Sequence, residues 1–158
     1  MNYKETQYGW FIIIIFFLII LFIFFSYSEQ WGSRPIPKIP FLIMDGLFIL
    51  LLALFYKMVV RIEDKMILII YGIGFIKIKL KPERVIGVES FKAPWYWGIG
   101  IRMTPKGWLY SLSGFKSVMI KYKIKEIKKT TLIGTPNPEQ LKAAIEHHFS
   151  SITEKDKF

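Results

Sequence analysis

Fifteen consecutive side chains, Phe11 to Phe25, are Phe, Ile or Leu. A helix buried in a globular protein keeps a polar stripe, whereas one that is apolar all round is solvated by lipid. At about −0.3 to −0.6 kcal/mol per central Leu, Ile or Phe, the run favours bilayer insertion by several kcal/mol. With Trp10 and Tyr27 as aromatic ends it reaches roughly 27 Å at 1.5 Å per residue, close to the hydrocarbon thickness. The predicted first span is 9–27. Its apolar stretch is too long for a cleavable signal peptide, Lys4 is offset by Glu5, and no small-x-small pattern follows Phe25.

Residues 28–40 hold Gly32, Pro35, Pro37 and Pro40 and read as a short connecting loop. A second apolar span follows at 41–60 and carries one acid, Asp45, beside Gly46. So short a connection makes the two helices antiparallel, with both chain ends on one side. Lys4, Lys57, Arg61 and Lys65 flank that side, against Arg34 and Lys38 in the connection, and this bias points the ends to the cytosol. Residues 1–8 then read as an N-terminal cytosolic tail.

Charge divides the chain. Residues 1–56 balance three basic with three acidic side chains, so the whole excess of +10 lies beyond them. A basic domain tethered to a bilayer finds its counter-charge in anionic lipid head groups. Nucleic acid would attract the same charge, but lipid lies within reach and no nucleic-acid partner is expected. The absence of cysteine removes disulfides, thiol nucleophiles and Cys-based metal sites.

From residue 57 the apolar period changes to two. Met58, Val60 and Ile62 alternate with Lys57, Val59 and Arg61. Met66 to Tyr71 predicts a second strand, and Gly72 and Gly74 bracket a turn rather than a nucleotide site. Ile76, Ile78 and Leu80 point one way, with Lys77, Lys79 and Lys81 the other. Further strands are expected over 85–91, 99–103, 108–112, 118–124 and 129–134. Asn137 is a good N-cap, Pro138 suits the first helical position, and Leu141, Ala144, Ile145 and His148 share a face for packing on a sheet. A flexible tail is expected at 153–158.

About seven antiparallel strands and one closing helix resemble the pleckstrin-homology-like (PH-like) fold. The residues Tyr96-Trp97-Gly98-Ile99-Gly100-Ile101-Arg102, Gly107-Trp108-Leu109-Tyr110 and Leu132-Ile133-Gly134-Thr135-Pro136-Asn137-Pro138 resemble segments of bacterial membrane proteins with PH-like domains. The resemblance implies an α+β chain: a transmembrane helical hairpin, then a PH-like antiparallel β-barrel over 57–152 capped by a C-terminal helix. It says nothing of activity. Where that group often turns its last hairpin through Asp-Gly, this chain has Lys125-Glu126, so a longer or bulged turn is expected and the register of the last two strands stays open.

Several residues stand out as candidate sites. Lys77, Lys79, Lys121, Lys123 and Lys125 would lie outside the barrel, where about four contacts at roughly 1 kcal/mol each would orient the domain on anionic lipid; as an alternative they are solvated strand faces that discourage edge pairing. Trp97, Arg102 and Trp108 are candidates for a groove taking a peptide or head group, or else they complete the barrel core. Asp45 is an intramembrane polar group suited to helix association, or it lies at the hydrated interface near Phe41. His147 and His148 diverge by about 100° on a helix, so they cannot chelate one metal. No catalytic, metal or cofactor motif is present, and no enzyme activity is expected.

The expected function is that of a two-pass protein of the bacterial cytoplasmic membrane, presenting a basic domain to the cytosol. It would bind a protein partner or anionic lipid without catalysis. One alternative makes the helices the working part, in a homo-oligomer or an accessory subunit of a membrane complex or transporter. A membrane enzyme is a further alternative, but it needs polar residues converging in one cleft.

Overall fold

The apolar hairpin interrupts a β-sheet. The structure, a computed structural model, describes residues 3–63, 65–97, 99–112 and 114–153, with Trp95 and 150–153 described by backbone alone. All but the first residue of the tail expected at 153–158 lies outside the described residues. Strand β1 (Tyr3–Tyr8) leads into helix α1 (Trp10–Ser28), and helix α2 (Lys38–Phe55) leads out into strand β2 (Lys57–Glu63). β1 and β2 pair antiparallel from Tyr3↔Ile62 to Tyr8↔Lys57, and the Gly9 N–H donates to the Tyr56 carbonyl at 2.9 Å. Of residues 1–8, expected as a tail, Tyr3–Tyr8 therefore supply an edge strand. Tyr3, Glu5 and Gln7 turn inward while Lys4, Thr6 and Tyr8 face out, a period of two that a polar six-residue stretch conceals.

The second helix also departs from expectation. It begins at Lys38 rather than Phe41 and ends at Phe55 rather than at 60. Pro40 is its third residue, where the missing N–H has no intrahelical partner to lose. Met58, Val59 and Val60, counted both in the span 41–60 and in the alternation from 57, belong to the strand alone and are buried in β2. α1 and α2 meet through the Phe16–Phe48 and Tyr27–Phe41 ring pairs. Ile12 and Phe55 pack against the core at the sheet end, and most of the rest is half-buried or exposed: Ile23 is the one buried residue of α1, and α2 has none. Both are long and apolar enough to cross a bilayer.

Strands β3 (Met66–Tyr71) and β4 (Ile76–Leu80) complete a four-stranded antiparallel sheet in the order β1-β2-β3-β4. Strands β5 (Arg84–Lys92), β6 (Gly100–Thr104), β7 (Gly107–Ser111), β8 (Lys116–Ile124) and β9 (Ile127–Gly134) form a second sheet, ordered β5-β8-β9-β7-β6. Only β7 and β9 run parallel. Helix α3 (Pro138–Thr153) packs on β5, β8 and β2. The expected α+β order of two apolar helices, β-strands and a C-terminal helix is present, with the strands arranged as two sheets of four and five and no closed barrel. Alternation finds strands but does not say which of them pair, so the division into two sheets is not legible in it.

One core joins the layers. Met58, Val60, Ile62, Ile67, Ile69 and Tyr71 face Val118, Ile120, Tyr122 and Ile133, with Leu141, Ile145 and Phe149 of α3 closing the side. Phe149, rather than the half-exposed His148, takes the inward position one turn beyond Ile145. The β8–β9 connection is a two-residue turn closed by Ile124↔Ile127, with the ladder unbroken back to Ser117↔Gly134. The longer or bulged turn is therefore corrected. Lys125 (φ 47) and Glu126 (φ 65) both occupy the left-handed region a type I′ turn needs, and the Lys125 N–H donates to Glu83 Oε2 at 2.8 Å.

Candidate functional site

The join between hairpin and sheet is held by a polar clamp on β1. Gln7 is buried and donates through Nε2 to the Gly134 carbonyl at 2.7 Å. The Thr135 hydroxyl donates to Glu5 Oε1 at 2.8 Å, and the Tyr3 hydroxyl donates to Glu5 Oε2. Burial first, and then the Glu5 carboxylate, push the Tyr3 phenol well above its ordinary range. The clamp ties the strand before the helices to the start of α3, so hairpin and domain are one piece. No motif signalled it; the alternation of Tyr3, Glu5 and Gln7 was the one available clue.

The candidate lysines are spread along the domain. β4 runs away from the helix ends, because its first residue Ile76 pairs with Tyr71, which follows the Met58 end of β2. Lys77 is thus nearest the helices and Lys79 stands about 7 Å further along the strand. Lys123 and Lys125 lie beyond the opposite end of β4, where the Glu83 N–H donates to the Lys123 carbonyl at 3.1 Å, and Lys121 stands further back along β8, opposite Gly87. Two of them have acidic neighbours: Lys121 Nζ lies 2.8 Å from Glu89 Oε1, and Lys123 Nζ lies 3.7 Å from Glu126 Oε2. The Lys121 hydrogen bond holds the Glu89 carboxyl below the usual carboxylate range.

Trp97, Arg102 and Trp108 do not line one groove. Trp97 stacks on Phe91 at 5.6 Å between ring centres and covers Leu109, Met119 and Leu132 on the outer face of the second sheet. Arg102 pairs with Leu109 and so shares that outer face. Trp108 lies on the inner face, stacked with Tyr110 at 6.4 Å. There it lines a cleft of about 360 Å³ with Leu80, Tyr122, Lys129 and Thr131. Tyr122 and Thr131 join their hydroxyls at 3.1 Å, and burial pushes the Tyr110 phenol up, with Tyr122 adding to the shift. Leu80 and Tyr122 were missed as cleft residues because only the pairing of two separate sheets brings them together.

Asp45 falls near the middle of α2, because the helix begins at Lys38, earlier than its apolar run. Its Oδ1 is buried without a hydrogen-bond partner among the described residues. Among the described residues no three His, Asp or Glu side chains gather as metal ligands.

Comparison with protein-family models, with curated proteins and with solved structures finds no match to this chain.

Proposed function

We propose that this is a two-pass protein of the bacterial cytoplasmic membrane that fixes a basic, PH-like β domain on the cytosolic surface and acts by binding a protein partner, without catalysis. The observation that carries the reading is the pairing of β1 with β2 up to Tyr8↔Lys57, which leaves no linker between sheet and helix ends. A domain mounted in this way keeps one end at the bilayer and offers its other end to the cytosol. The basic excess of the flanking segments favours that orientation. The PH-like reading rests on strands followed by a helix that packs on β5, β8 and β2.

A protein partner suits the far end better than lipid does. The five residues of β4 span about 13 Å, and Lys123 and Lys125 lie beyond them, with Lys121 behind on the same face of β8. An acidic surface approaching from the cytosol meets these lysines first. A photo-reactive side chain at Lys125, activated in native membranes, is expected to give a discrete protein adduct that Lys121→Glu with Lys123→Glu abolishes. Adducts with lipid alone would overturn the protein-binding reading.

A second reading is favoured by Asp45, whose buried Oδ1 has no hydrogen-bond partner among the described residues. A polar group in mid-span is costly unless another helix meets it, and Gly46 beside it permits close approach. The helices would then assemble with a second copy or a neighbouring subunit. Disulfide crosslinking from cysteines placed along α2 tests it: a periodic pattern that Asp45→Leu erases is expected, and a uniform absence of crosslinks would refute it.

A further inference from the structure

The β3–β4 turn, residues 72–75, lies against the membrane helices rather than in open solvent. The Gly72 N–H donates to the Lys57 carbonyl at 2.7 Å. A Cβ at Gly72 would stand 2.3 Å from the Ala53 carbonyl oxygen and 2.4 Å from that of Leu54, so the turn touches the last turn of α2 backbone to backbone. Its two side chains, Ile73 and Phe75, are nevertheless 61% and 77% exposed. On the second sheet, Ile99, Gly100 and Ile101 reach the same level and line an apolar crevice of about 280 Å³ with Ile12, Phe16 and Phe55. Phe16 lies about 9 Å along α1 from Trp10, at 1.5 Å per residue.

From this placement we infer that the helix-bearing end of the domain is itself seated in the bilayer, with Ile73 and Phe75 inserted among the head groups and upper acyl chains. The inference rests on the reading that α1 and α2 span the membrane. Tyr8, Trp10 and Tyr56 mark the interface where the helices meet the sheet, as aromatic belts do. Lys57 lies just outside it, its Nζ 5.2 Å from the centre of the Tyr56 ring. Because Gly72 packs beside residues inside that belt, its neighbours Ile73 and Phe75 cannot be lifted into water while α2 stays inserted. Lipid is therefore the occupant this surface fits, by continuity with the apolar helices. A single exposed apolar side chain is ordinary; two on a turn locked against a membrane helix are not.

The chain has no cysteine, so single cysteines can be introduced freely. Full-length protein in lipid vesicles is labelled with an environment-sensitive fluorophore at Ile73, Phe75, Phe17 or Ile127, the last being an equally exposed apolar residue at the opposite end of the domain. Labels at 73 and 75 are expected to emit at shorter wavelength, to be quenched by nitroxide lipids and to resist aqueous iodide, like the label at 17. The label at 127 should be quenched by iodide alone. If 73 and 75 behave like 127 while 17 is quenched by lipid, the inference fails and the spanning reading stands. If 17 also answers to iodide alone, both fail.

Discussion

At the helix-bearing end of the domain backbones touch: Gly72 packs on the carbonyls of Ala53 and Leu54, and Gly9 bonds to Tyr56. At the opposite end the β8–β9 turn stands clear, with two residues in left-handed geometry and one carboxylate, Glu83, bonded to its amide. At the first end Gly72 admits no added atom; the second is open and basic. The difference teaches that the hairpin is not an anchor appended to a finished domain. It is an insertion into the first sheet, and the surrounding residues are shaped to hold it.

The largest effect should come from separating those parts. A chain beginning at Lys57 loses β1, and with it the ladder to β2 and the bond from Gln7 to Gly134. At about 1 kcal/mol per lost hydrogen bond the cost is on the order of 5 kcal/mol. That equals the whole stability of many small domains. Such a chain should lack a cooperative thermal transition. Replacing residues 10–55 by Asn-Gly, which joins strands already paired at Tyr8↔Lys57, should give a soluble protein with near-native far-ultraviolet circular dichroism. If the truncated chain melts as sharply as the closed one, β1 is dispensable.

Gly72→Ala probes the crowded end at a single atom. The new Cβ meets two backbone oxygens and the residue keeps φ +55, so neither a rotamer change nor a flexible neighbour relieves it. We expect a loss of roughly 2–4 kcal/mol, read as a lower denaturation midpoint in detergent micelles. Gly74→Ala, whose Cβ would find its nearest neighbour at 3.6 Å, should cost less, because only its φ of +99 is unfavourable.

How much of this was legible from the sequence follows from the same contrast. The apolar run of α1, the alternation of β2 through β9 and the amphipathic α3 are local patterns, and a one-dimensional reading recovers them. The role of residues 3–8 is not local. Nothing in Tyr-Lys-Glu-Thr-Gln-Tyr announces that it pairs with a strand some fifty residues on, across an apolar hairpin. Pro40 misled in the other direction, since a proline in the first helical turn breaks no bond. The proposed groove failed because Trp97 and Trp108 are close in sequence yet lie on opposite faces of one sheet. The cleft beside Trp108 depends on Leu80, which belongs to the other sheet, and no spacing rule reaches that far.

At the open end the expected change is smaller and of opposite sign. Lys125 and Glu126 each occupy the left-handed region at about 1–2 kcal/mol per residue relative to glycine or asparagine. Replacing the pair by Asn-Gly should stabilise the protein by about 1–2 kcal/mol, because the type I′ turn is already formed. The Lys123–Glu126 pair lost in the exchange is solvent-exposed and contributes little. A lower midpoint in the Asn-Gly variant would mean that the turn is held open by contacts other than backbone geometry.

The smallest effect concerns Tyr71, the residue that enters the crowded turn. Its ring lies edge-on to Phe55 at 5.9 Å, and its buried hydroxyl has no hydrogen-bond partner among the described residues. Removing an unsatisfied hydroxyl while keeping the ring should be neutral or favourable, so Tyr71→Phe is expected to stabilise by up to about 1 kcal/mol. Burial, with Tyr110 adding to it, raises the Tyr71 phenol above its ordinary value of 10.0. The folded protein therefore keeps this proton while the unfolded chain releases it above pH 10, so stability is full below that pH and declines as pH rises past it. Tyr110 and Tyr3 shift the same way and add to the decline. Tyr71→Phe should make the alkaline fall shallower without changing the midpoint's pH dependence between 6 and 8. An unchanged alkaline slope would show that the hydroxyl reaches water or a partner in solution, and that the helix-bearing end is looser than its backbone contacts require.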